Sequence, residues 1–259
     1  MCCISLCDEI TLQFNTPRIS VSCSDPHVPQ NGTNLAQRAA TLFLNTLSVS
    51  DGVDITIKKR IPVAGGLGGG SSNAASVLLG LNHHFGRPFS TDQLMSLGLS
   101  LGADVPFFIF QKPAFATGIG EKLKACCGLH PHHILLINPG FNVSTAEIYR
   151  KLNLRLTKCK KKFTYVHLKK CGFDVALHLC NDLETVTAST YPAIASIKEQ
   201  LIHHGALGAL MSGSGPTVFG LFSDLRKAKI ARDALSHYDY WQLYIADMIV
   251  DSGIRIENS

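Results

Sequence analysis

The sequence lacks any uninterrupted run of 18 apolar residues, so no segment is long enough to predict a transmembrane helix. Its first eight residues, Met1 to Asp8, have no basic region and do not fit a secretory signal. Charged residues make up only 17% of the 259 residues and hydrophobic residues 46%, a composition that excludes bulk disorder. We therefore expect a folded cytoplasmic protein, with no membrane partner, that forms one large domain or two smaller ones.

The sequence also lacks the cysteine spacing of a metal site. Its nine cysteines include the adjacent pairs Cys2-Cys3 and Cys126-Cys127, but no C-x-x-C. The odd total argues against a full disulfide framework. We expect ordinary free thiols and no metal ligands among them.

Strong charge of one sign is absent as well, since the formal net charge is only +5. A basic run, Lys158 to Lys162, is followed by Lys169 and Lys170. Such a run is usually a solvated face, and no stacking aromatic residues of an RNA-binding module lie near it. We predict no nucleic-acid partner.

The most informative segment is a glycine-rich stretch from Ile61 to Ser76, which reads I-P-V-A-G-G-L-G-G-G-S-S-N-A-A-S. Glycine allows backbone N–H groups to approach a ligand without an intervening Cβ. Ser71 and Ser72 are favourable N-cap residues, and the spacing of apolar residues predicts a helix from there to Phe85. A loop of this kind at a helix N-terminus binds anions, so the segment predicts a site for a nucleotide polyphosphate.

Two common nucleotide motifs do not describe this stretch. A Walker A motif needs lysine where Ser71 follows Gly70, and no G-x-G-x-x-G falls in the run. The alternative is a flexible linker. A linker usually continues as polar coil, whereas this segment leads directly into a helix with an apolar face.

The remaining pattern predicts a mixture of strands and helices. Strands are expected at residues 9–14, 17–23, 53–59, 107–110, 134–137, 209–211, 217–222 and 241–246, and further helices at residues 34–47, 90–99, 145–152, 182–188, 192–204 and 224–236. A second glycine turn, Ser212-Gly213-Ser214-Gly215-Pro216, separates two of the strands. The elements do not alternate strictly, which predicts the α+β class, with a boundary within residues 111–133.

Three separated motifs resemble the GHMP kinase superfamily, whose members phosphorylate small molecules without a P-loop. Residues Pro62 to Ala75 resemble the family's P-x-x-x-G-L-G-S-S-A-A loop, although Asn73 stands where a small residue is usual. The second motif is G-A-D-V-P-F at residues 102–107, and the third is M-S-G-S-G-P-T at residues 211–217. With the wording A-T-G-I-G-E-K-L at residues 116–123, they resemble the members that act on cytidine-diphosphate-linked methylerythritol.

The resemblance implies a two-domain GHMP kinase fold. Residues 1–128 would form an N-terminal domain like the second domain of ribosomal protein S5, and residues 129–259 a ferredoxin-like C-terminal domain. The activity implied is ATP-dependent phosphorylation of the 2-hydroxyl of the methylerythritol compound, in the non-mevalonate isoprenoid (terpenoid) pathway. ATP and Mg²⁺ are the implied cofactors, and the protein would act as a monomer or homodimer.

The resemblance also implies a set of site residues. Those expected at the ATP phosphates are Pro62, Gly65, Gly66, Leu67, Gly68, Gly69, Gly70, Ser71 and Ser72. Asn34 and Lys59 would lie near adenine, Thr145 and Tyr149 on the cytidine side, and Gly213 and Gly215 near the substrate phosphates.

Asp104 is the expected catalytic base for the substrate hydroxyl. Taken alone, an aspartate before Val-Pro could be a turn former or a helix-end residue; the phosphate loop and the resemblance favour the base. Glu121 could equally help to hold Mg²⁺ or form a structural ion pair.

One departure from the family pattern leads to a further expectation. The family's first strand, P-A-K-(I/L)-N-L followed by G-Y-H, has no counterpart in these residues, so the N-terminal domain is expected to be truncated at its start. In the family, the lysine of this P-A-K motif would stabilise negative charge near the catalytic base. Because these residues offer no counterpart of it, we expect weak kinase activity or none. The alternatives are another GHMP kinase, acting on homoserine, mevalonate or a sugar, and a catalytically silent nucleotide-binding protein.

Overall fold

The computed structural model describes residues 1–152 and 175–250, so the basic run at residues 158–162 and the two lysines after it lie outside the described part. Within that part the strands are β1 Cys3–Ile4, β2 Glu9–Thr16, β3 Ile19–Cys23, β4 Gly52–Lys58, β5 Ala114–Thr117, β6 Lys122–Ala125, β7 His133–Asn138, β8 Gly208–Met211, β9 Val218–Phe222 and β10 Gln242–Ile249. The α-helices are α1 Leu35–Leu47, α2 Gly69–His84, α3 Thr91–Leu101, α4 Val105–Phe110, α5 Thr145–Lys151, α6 Asp182–Thr190, α7 Ala193–His203 and α8 Leu225–Leu235.

The N-terminal unit is built on a three-stranded sheet in the order β2-β4-β3. Strand β2 runs antiparallel to β4, and β3 runs parallel to it. Residues of β2 alternate between exposed and half-buried positions, as expected of a strand with one face on a core. That core includes Ile55 of β4, Phe43 of α1 and Leu78 of α2, each less than 2% exposed. Helix α2 packs its apolar face on this core, which fixes the position of the helix and of the glycine-rich loop before it.

Polar N-caps set where two helices of this unit begin. The Asn34 Oδ1 accepts a hydrogen bond from the Ala36 N–H at 2.9 Å, and α1 starts directly after Asn34. Ser90 and Gln93 form a capping box at the start of α3. Helix α2 differs from the prediction: its N-cap is Gly68, and the two serines lie inside its first turn.

The predicted strand at residues 107–110 is wrong, because these residues belong to helix α4. A run of four apolar residues carries no periodicity that separates a buried strand from a buried helix. Pro106 lies in the first turn, where its fixed φ suits a helix. Residues 111–133, where the sequence predicted the domain boundary, contain a hairpin in which β5 pairs antiparallel with β6.

The C-terminal unit has the strand order β10-β7-β9-β8, with every pair antiparallel. The described helices lie between these strands so as to give the β-α-β-β-α-β arrangement of a ferredoxin-like sheet. One face packs on helices α7 and α8 through residues such as Ile197 and Leu235. The opposite face carries a second apolar cluster that includes Leu136 and Leu221. Strand β1 extends this sheet by pairing with β10.

The structure thus mixes helices and strands in two units, as the α+β prediction requires. The division after residue 128 stays a prediction. No helix in residues 1–152 or 175–250 combines the length and the apolar character needed to cross a membrane.

Most of the described cysteines are free, as expected: Cys2, Cys3, Cys7, Cys23, Cys126 and Cys127. Cys180 is disulfide-bonded, which corrects the expectation of free thiols throughout. Burial raises the pKa of the Cys2 and Cys3 thiols to about 11, so both stay neutral near pH 7.

We expect Gly52→Ala to destabilise the N-terminal unit. A Cβ on Gly52 would lie 2.4 Å from both the N and the O atoms of Arg18, whose backbone is held in the short turn between strands β2 and β3, which both pair with β4. Overpacking of this kind costs about 1–3 kcal/mol, measurable as a lower urea midpoint. Gly32→Ala is the matched control, because a Cβ on Gly32 would have nothing within 4 Å. Equal midpoints for the two variants would contradict the packing argument.

Candidate active site

A cavity of about 1110 Å³ is lined by residues of both units. Its volume exceeds that of most pockets for a single small ligand, so it can take a nucleotide together with a second molecule. The expected site residues on its wall are Asn34, Lys59, Pro62, Gly65, Gly66, Leu67, Gly68, Gly69, Gly70, Ser71, Ser72, Asp104, Thr145, Tyr149 and Gly213. Gly215 is the expected residue that does not line it. The structure therefore brings together residues that are far apart in the sequence.

The glycine-rich loop presents backbone N–H groups at the start of helix α2. Gly66 and Gly68 have φ values of +74° and +69°, a conformation that favours glycine. The first helical hydrogen bond runs from the Ser72 N–H to the Gly68 O at 2.9 Å. The N–H groups of Gly69, Gly70 and Ser71 precede that bond and have no helical acceptor. Together with the positive end of the helix dipole, they form an anion site.

Close neighbours leave no room for side chains in this loop. A Cβ on Gly68 would lie 2.9 Å from the Phe108 ring of helix α4, and one on Gly69 would lie 3.3 Å from the Lys59 Nζ. The Phe108 contact ties the loop to the helix that begins after Asp104. At Gly68, glycine is therefore favoured both by the backbone conformation and by packing, whereas Gly69 is only tightly packed.

The two glycine segments contact each other directly. The Ser212 hydroxyl donates to the Gly66 O at 2.9 Å, and the Thr217 N–H donates to the Gly65 O at 3.3 Å. A Cβ on Gly66 would lie 2.4 Å from the Ser212 O and 2.8 Å from the Gly215 O. Gly215 therefore supports the loop from behind the cavity wall.

Asp104 occupies the N-cap position of helix α4, but its side chain makes no capping hydrogen bond. Its carboxylate forms no ion pair or hydrogen bond with the described residues. Although Asp104 is exposed to solvent, the nearby cavity walls displace enough water to raise its pKa above the ordinary value. The adjacent turn lies beside the loop helix, because a Cβ on Gly102 would lie 3.9 Å from the Ser71 Oγ.

Lys59 and Asp8 form an almost fully buried ion pair at the base of the loop. The distance from the Lys59 Nζ to the Asp8 Oδ2 is 2.9 Å, and the two side chains are 8% and 1% exposed. That contact is ionic and does not have hydrogen-bond geometry, since the Oδ2 atom has no hydrogen-bond partner among the described residues. The Oδ1 atom accepts the N–H groups of Arg60 and Ile61 at 2.8 and 2.9 Å.

Asp8 is a residue that the sequence reasoning missed. The signal was indirect: a lysine in a strand that leads into a buried loop needs a counter-charge. Asp8 precedes the first strand of the same sheet. Lys59 lines the cavity, but its ammonium is held by Asp8 and by the Ile61 carbonyl, so its role near adenine stays a prediction.

The other expected binding residues occupy two parts of the wall. Asn34 uses its Oδ1 to cap α1 and its Nδ2 to bind the Pro29 O at 2.6 Å. On the C-terminal unit, the Thr145 and Ser214 hydroxyls are 2.8 Å apart, and Tyr149 is 59% exposed. Their assignment to adenine and to cytidine stays a prediction.

Glu121 lies at the tip of the β5–β6 hairpin, and its role in holding Mg²⁺ stays a prediction. Its carboxylate accepts the Ile119 N–H at 2.7 Å at the tip of the β5–β6 hairpin, and this hydrogen bond contributes to lowering its pKa. It forms no ion pair with the described residues. Residues 1–152 and 175–250 contain no group of three or more metal-ligating side chains.

Two family models match the chain: the GHMP kinases N terminal domain over residues 34–112, and GHMP kinases C terminal over residues 173–240. A 4-diphosphocytidyl-2-C-methyl-D-erythritol kinase of Syntrophotalea carbinolica is 47% identical over 96% of this chain and 88% of its own length. One of Geobacter metallireducens is 48% identical over 92% of this chain and 84% of its own length.

Solved structures agree with this result. A crystal structure of 4-(cytidine 5'-diphospho)-2C-methyl-D-erythritol kinase has a TM-score of 0.77 at 31% identity, covering 95% of this chain and 87% of its own. A homoserine kinase from Cytophaga hutchinsonii has a TM-score of 0.74 at 17% identity, covering 95% and 86%, and shows the fold alone. The predicted two-domain fold is confirmed, and the chain belongs to the GHMP kinase family.

Proposed function

We propose that this chain is an ATP-dependent kinase that phosphorylates the 2-hydroxyl of 4-diphosphocytidyl-2-C-methyl-D-erythritol, in the non-mevalonate isoprenoid pathway. The weak turnover expected from the unmatched first-strand motif stays a prediction. The observation that carries the proposal is the identity of 47% over 96% of the chain with a kinase of that name. The cavity supports it independently, because its wall offers both an anion site and a carboxylate that no described residue engages.

The glycine loop would hold the nucleotide phosphates. The N–H groups of Gly69, Gly70 and Ser71 precede the first hydrogen bond of α2 and lie at the positive end of its dipole. The hydroxyls of Ser71 and Ser72 add donors within the first turn. Because these groups belong to a helix packed on the core, they are oriented before a ligand binds, which lowers the cost of binding.

Asp104 would accept the proton of the substrate hydroxyl. Its carboxylate has no hydrogen bond or ion pair to break in the described part of the chain, and it adjoins the turn that packs near Ser71. Phosphoryl transfer requires mainly positioning and charge stabilisation, so a carboxylate beside the anion site suffices for the protein's part in proton transfer. Mg²⁺ would neutralise charge on the phosphates, bound mainly through phosphate oxygens and water.

The partner proposed is a small molecule, bound by a monomer or homodimer in the cytoplasm. The kinase assignment is tested by incubating the full chain with ATP, Mg²⁺ and 4-diphosphocytidyl-2-C-methyl-D-erythritol and measuring the phosphorylated product by mass spectrometry. Homoserine and mevalonate serve as competing substrates. Preference for either of these would favour another GHMP kinase, and nucleotide binding without turnover of any substrate would favour the silent protein.

We expect Asp104→Asn to lower kcat by about 10²–10⁴-fold, which is the usual range for a general base. The KM for ATP should change little, because Asp104 forms no contact with the loop amides. Asp92→Asn is the control, since Asp92 lies in the first turn of the neighbouring helix α3. Full turnover by the Asp104 variant would exclude its role as the base.

The pH dependence should report the same carboxylate. Partial desolvation by the cavity walls raises the pKa of Asp104 above its usual 3.8, so the base form is present above this raised value and is lost as the pH falls through it. We expect kcat/KM of the wild-type enzyme to decrease on the acid side with an apparent pKa above 3.8. The Asp104→Asn protein should lack that acid limb; an unchanged limb would assign the titration to another group.

We expect Gly66→Ala to impair both nucleotide binding and stability. Its Cβ would meet the Ser212 and Gly215 carbonyls, and its φ is positive. Gly86→Ala shares the positive φ, at +76°, but has nothing within 4 Å. The Gly86 control should therefore lose only about 1–2 kcal/mol of unfolding free energy, the cost of a positive φ for alanine. The Gly66 variant should lose more unfolding free energy and should also bind ATP more weakly. Calorimetry on both variants makes the comparison; equal ATP affinities would contradict it.

A further inference from the structure

Helix α6 binds the second glycine turn from its outer side. The Asn181 Nδ2 donates to the Met211 O at 2.8 Å and to the Gly213 O at 2.7 Å. A side-chain amide has two N–H donors, so one asparagine can satisfy both carbonyls. Neither the glycine motif nor the phosphate loop predicted a role for Asn181.

Two further side chains of α6 hold the same turn. The Glu184 Oε2 accepts the Met211 N–H at 2.8 Å, and the Thr187 hydroxyl donates to the Ser214 O at 3.2 Å. Asn181, Glu184 and Thr187 are spaced three residues apart and therefore follow one face of the helix. Glu184 is itself fixed by an ion pair with Lys198. The turn is thus attached to a regular element rather than left as a free loop.

This attachment determines where one N–H group points. The peptide between Gly213 and Ser214 is trans, so its C=O and N–H point in opposite directions. Because the Gly213 O faces Asn181, the Ser214 N–H faces away from α6. Ser214 lines the cavity, is 6% exposed, and its N–H has no acceptor among the described residues. A buried N–H without an acceptor is rare in proteins.

We propose that Asn181 is a positioning residue that orients the Ser214 N–H toward a phosphate group bound in the cavity. This inference rests on the proposed kinase function, and it adds a donor opposite the amides of helix α2. The Ser212 hydroxyl joins the turn to the Gly66 O, so the two sets of donors have a fixed relation to each other. Ser214 would contact the phosphate, whereas Asn181 acts through the backbone of the turn.

Asn181 also has a purely structural role as the N-cap of α6, and an experiment must separate this role from its contacts to the glycine turn. It is the N-cap of α6, and its Oδ1 accepts the Leu183 N–H at 3.0 Å. Serine is an equally favourable N-cap residue but has no amide donors. The substitution Asn181→Ser therefore keeps an acceptor for the cap and removes both contacts to the turn, without adding a charge.

The test compares Asn181→Ser with the wild-type full chain in binding and turnover. We expect affinity for a non-hydrolysable ATP analogue to fall about tenfold, affinity for adenosine to stay unchanged, and kcat to fall by up to about 10²-fold because the donor is misplaced. Asp224→Ser is the matched control: Asp224 caps helix α8 through the Lys227 N–H and does not contact the turn. It should keep wild-type analogue affinity and kcat.

Wild-type affinity for the analogue in Asn181→Ser, or an equal loss for the analogue and adenosine, would overturn the inference. Asn181→Thr, which also keeps an acceptor for the cap and adds no charge, replaces the serine variant if that protein does not fold. If the wild-type chain binds nucleotide but phosphorylates no substrate, the proposed function fails. The comparison of analogue with adenosine still decides the role of Asn181 in that case.

Discussion

The candidate site depends on the contact between Gly66 and the second glycine turn. A Cβ at Gly66 would come within 2.4 Å of the Ser212 O, so the two backbone segments meet at a distance that only glycine permits. The contact joins the end of the loop before helix α2 to a turn between strands of the other sheet. Each segment is in turn anchored to its own core, by α2 on one side and by α6 on the other. Two hydrogen bonds, from the Ser212 hydroxyl to the Gly66 O and from the Thr217 N–H to the Gly65 O, join the two units at this point of the cavity wall.

Electrostatics gives the cavity its character as an anion site. The amides at the start of α2 provide positive potential, yet a lysine ammonium next to the same helix terminus would be unfavourable without compensation. The Asp8 carboxylate supplies it, since its two oxygens face the Lys59 ammonium and the amides of residues 60 and 61. Asp8 thereby fixes the chain just before the loop. The buried pair is best understood as a device for geometry, because burying an ion pair seldom adds much stability.

The sequence predicted most elements because their signals were local. Alternation identified β2 and β4, and Asn34 and Ser90 marked where α1 and α3 begin. Residues 107–110 failed because four apolar residues have no period, and the proline in the first turn was the better signal. The start of α2 was misplaced because Gly68, without a side-chain cap, ends the loop in a left-handed conformation. Such a position depends on neighbours that only the folded chain supplies.

The site was predictable in its motifs but not in its supports. Glycine content pointed to the loop, and the resemblance pointed to Asp104, whereas Asp8 and Asn181 belong to no recognisable pattern. Both act through contacts between residues far apart in sequence, 51 and 30 residues in the pairs with Lys59 and Met211. A propensity argument cannot find such contacts, because it considers only neighbouring residues.

The two aspartates near the cavity show how environment separates structural from chemical roles. The Asp8 carboxylate is 1% exposed and is already held by an ammonium and two backbone amides, so using it in proton transfer would break the contacts that fix the loop. The Asp104 carboxylate is engaged by none of the described residues, and desolvation by the nearby cavity walls raises its pKa. A raised pKa strengthens a carboxylate as a proton acceptor. The same side chain therefore supports the loop in one setting and, in our proposal, accepts a proton in the other.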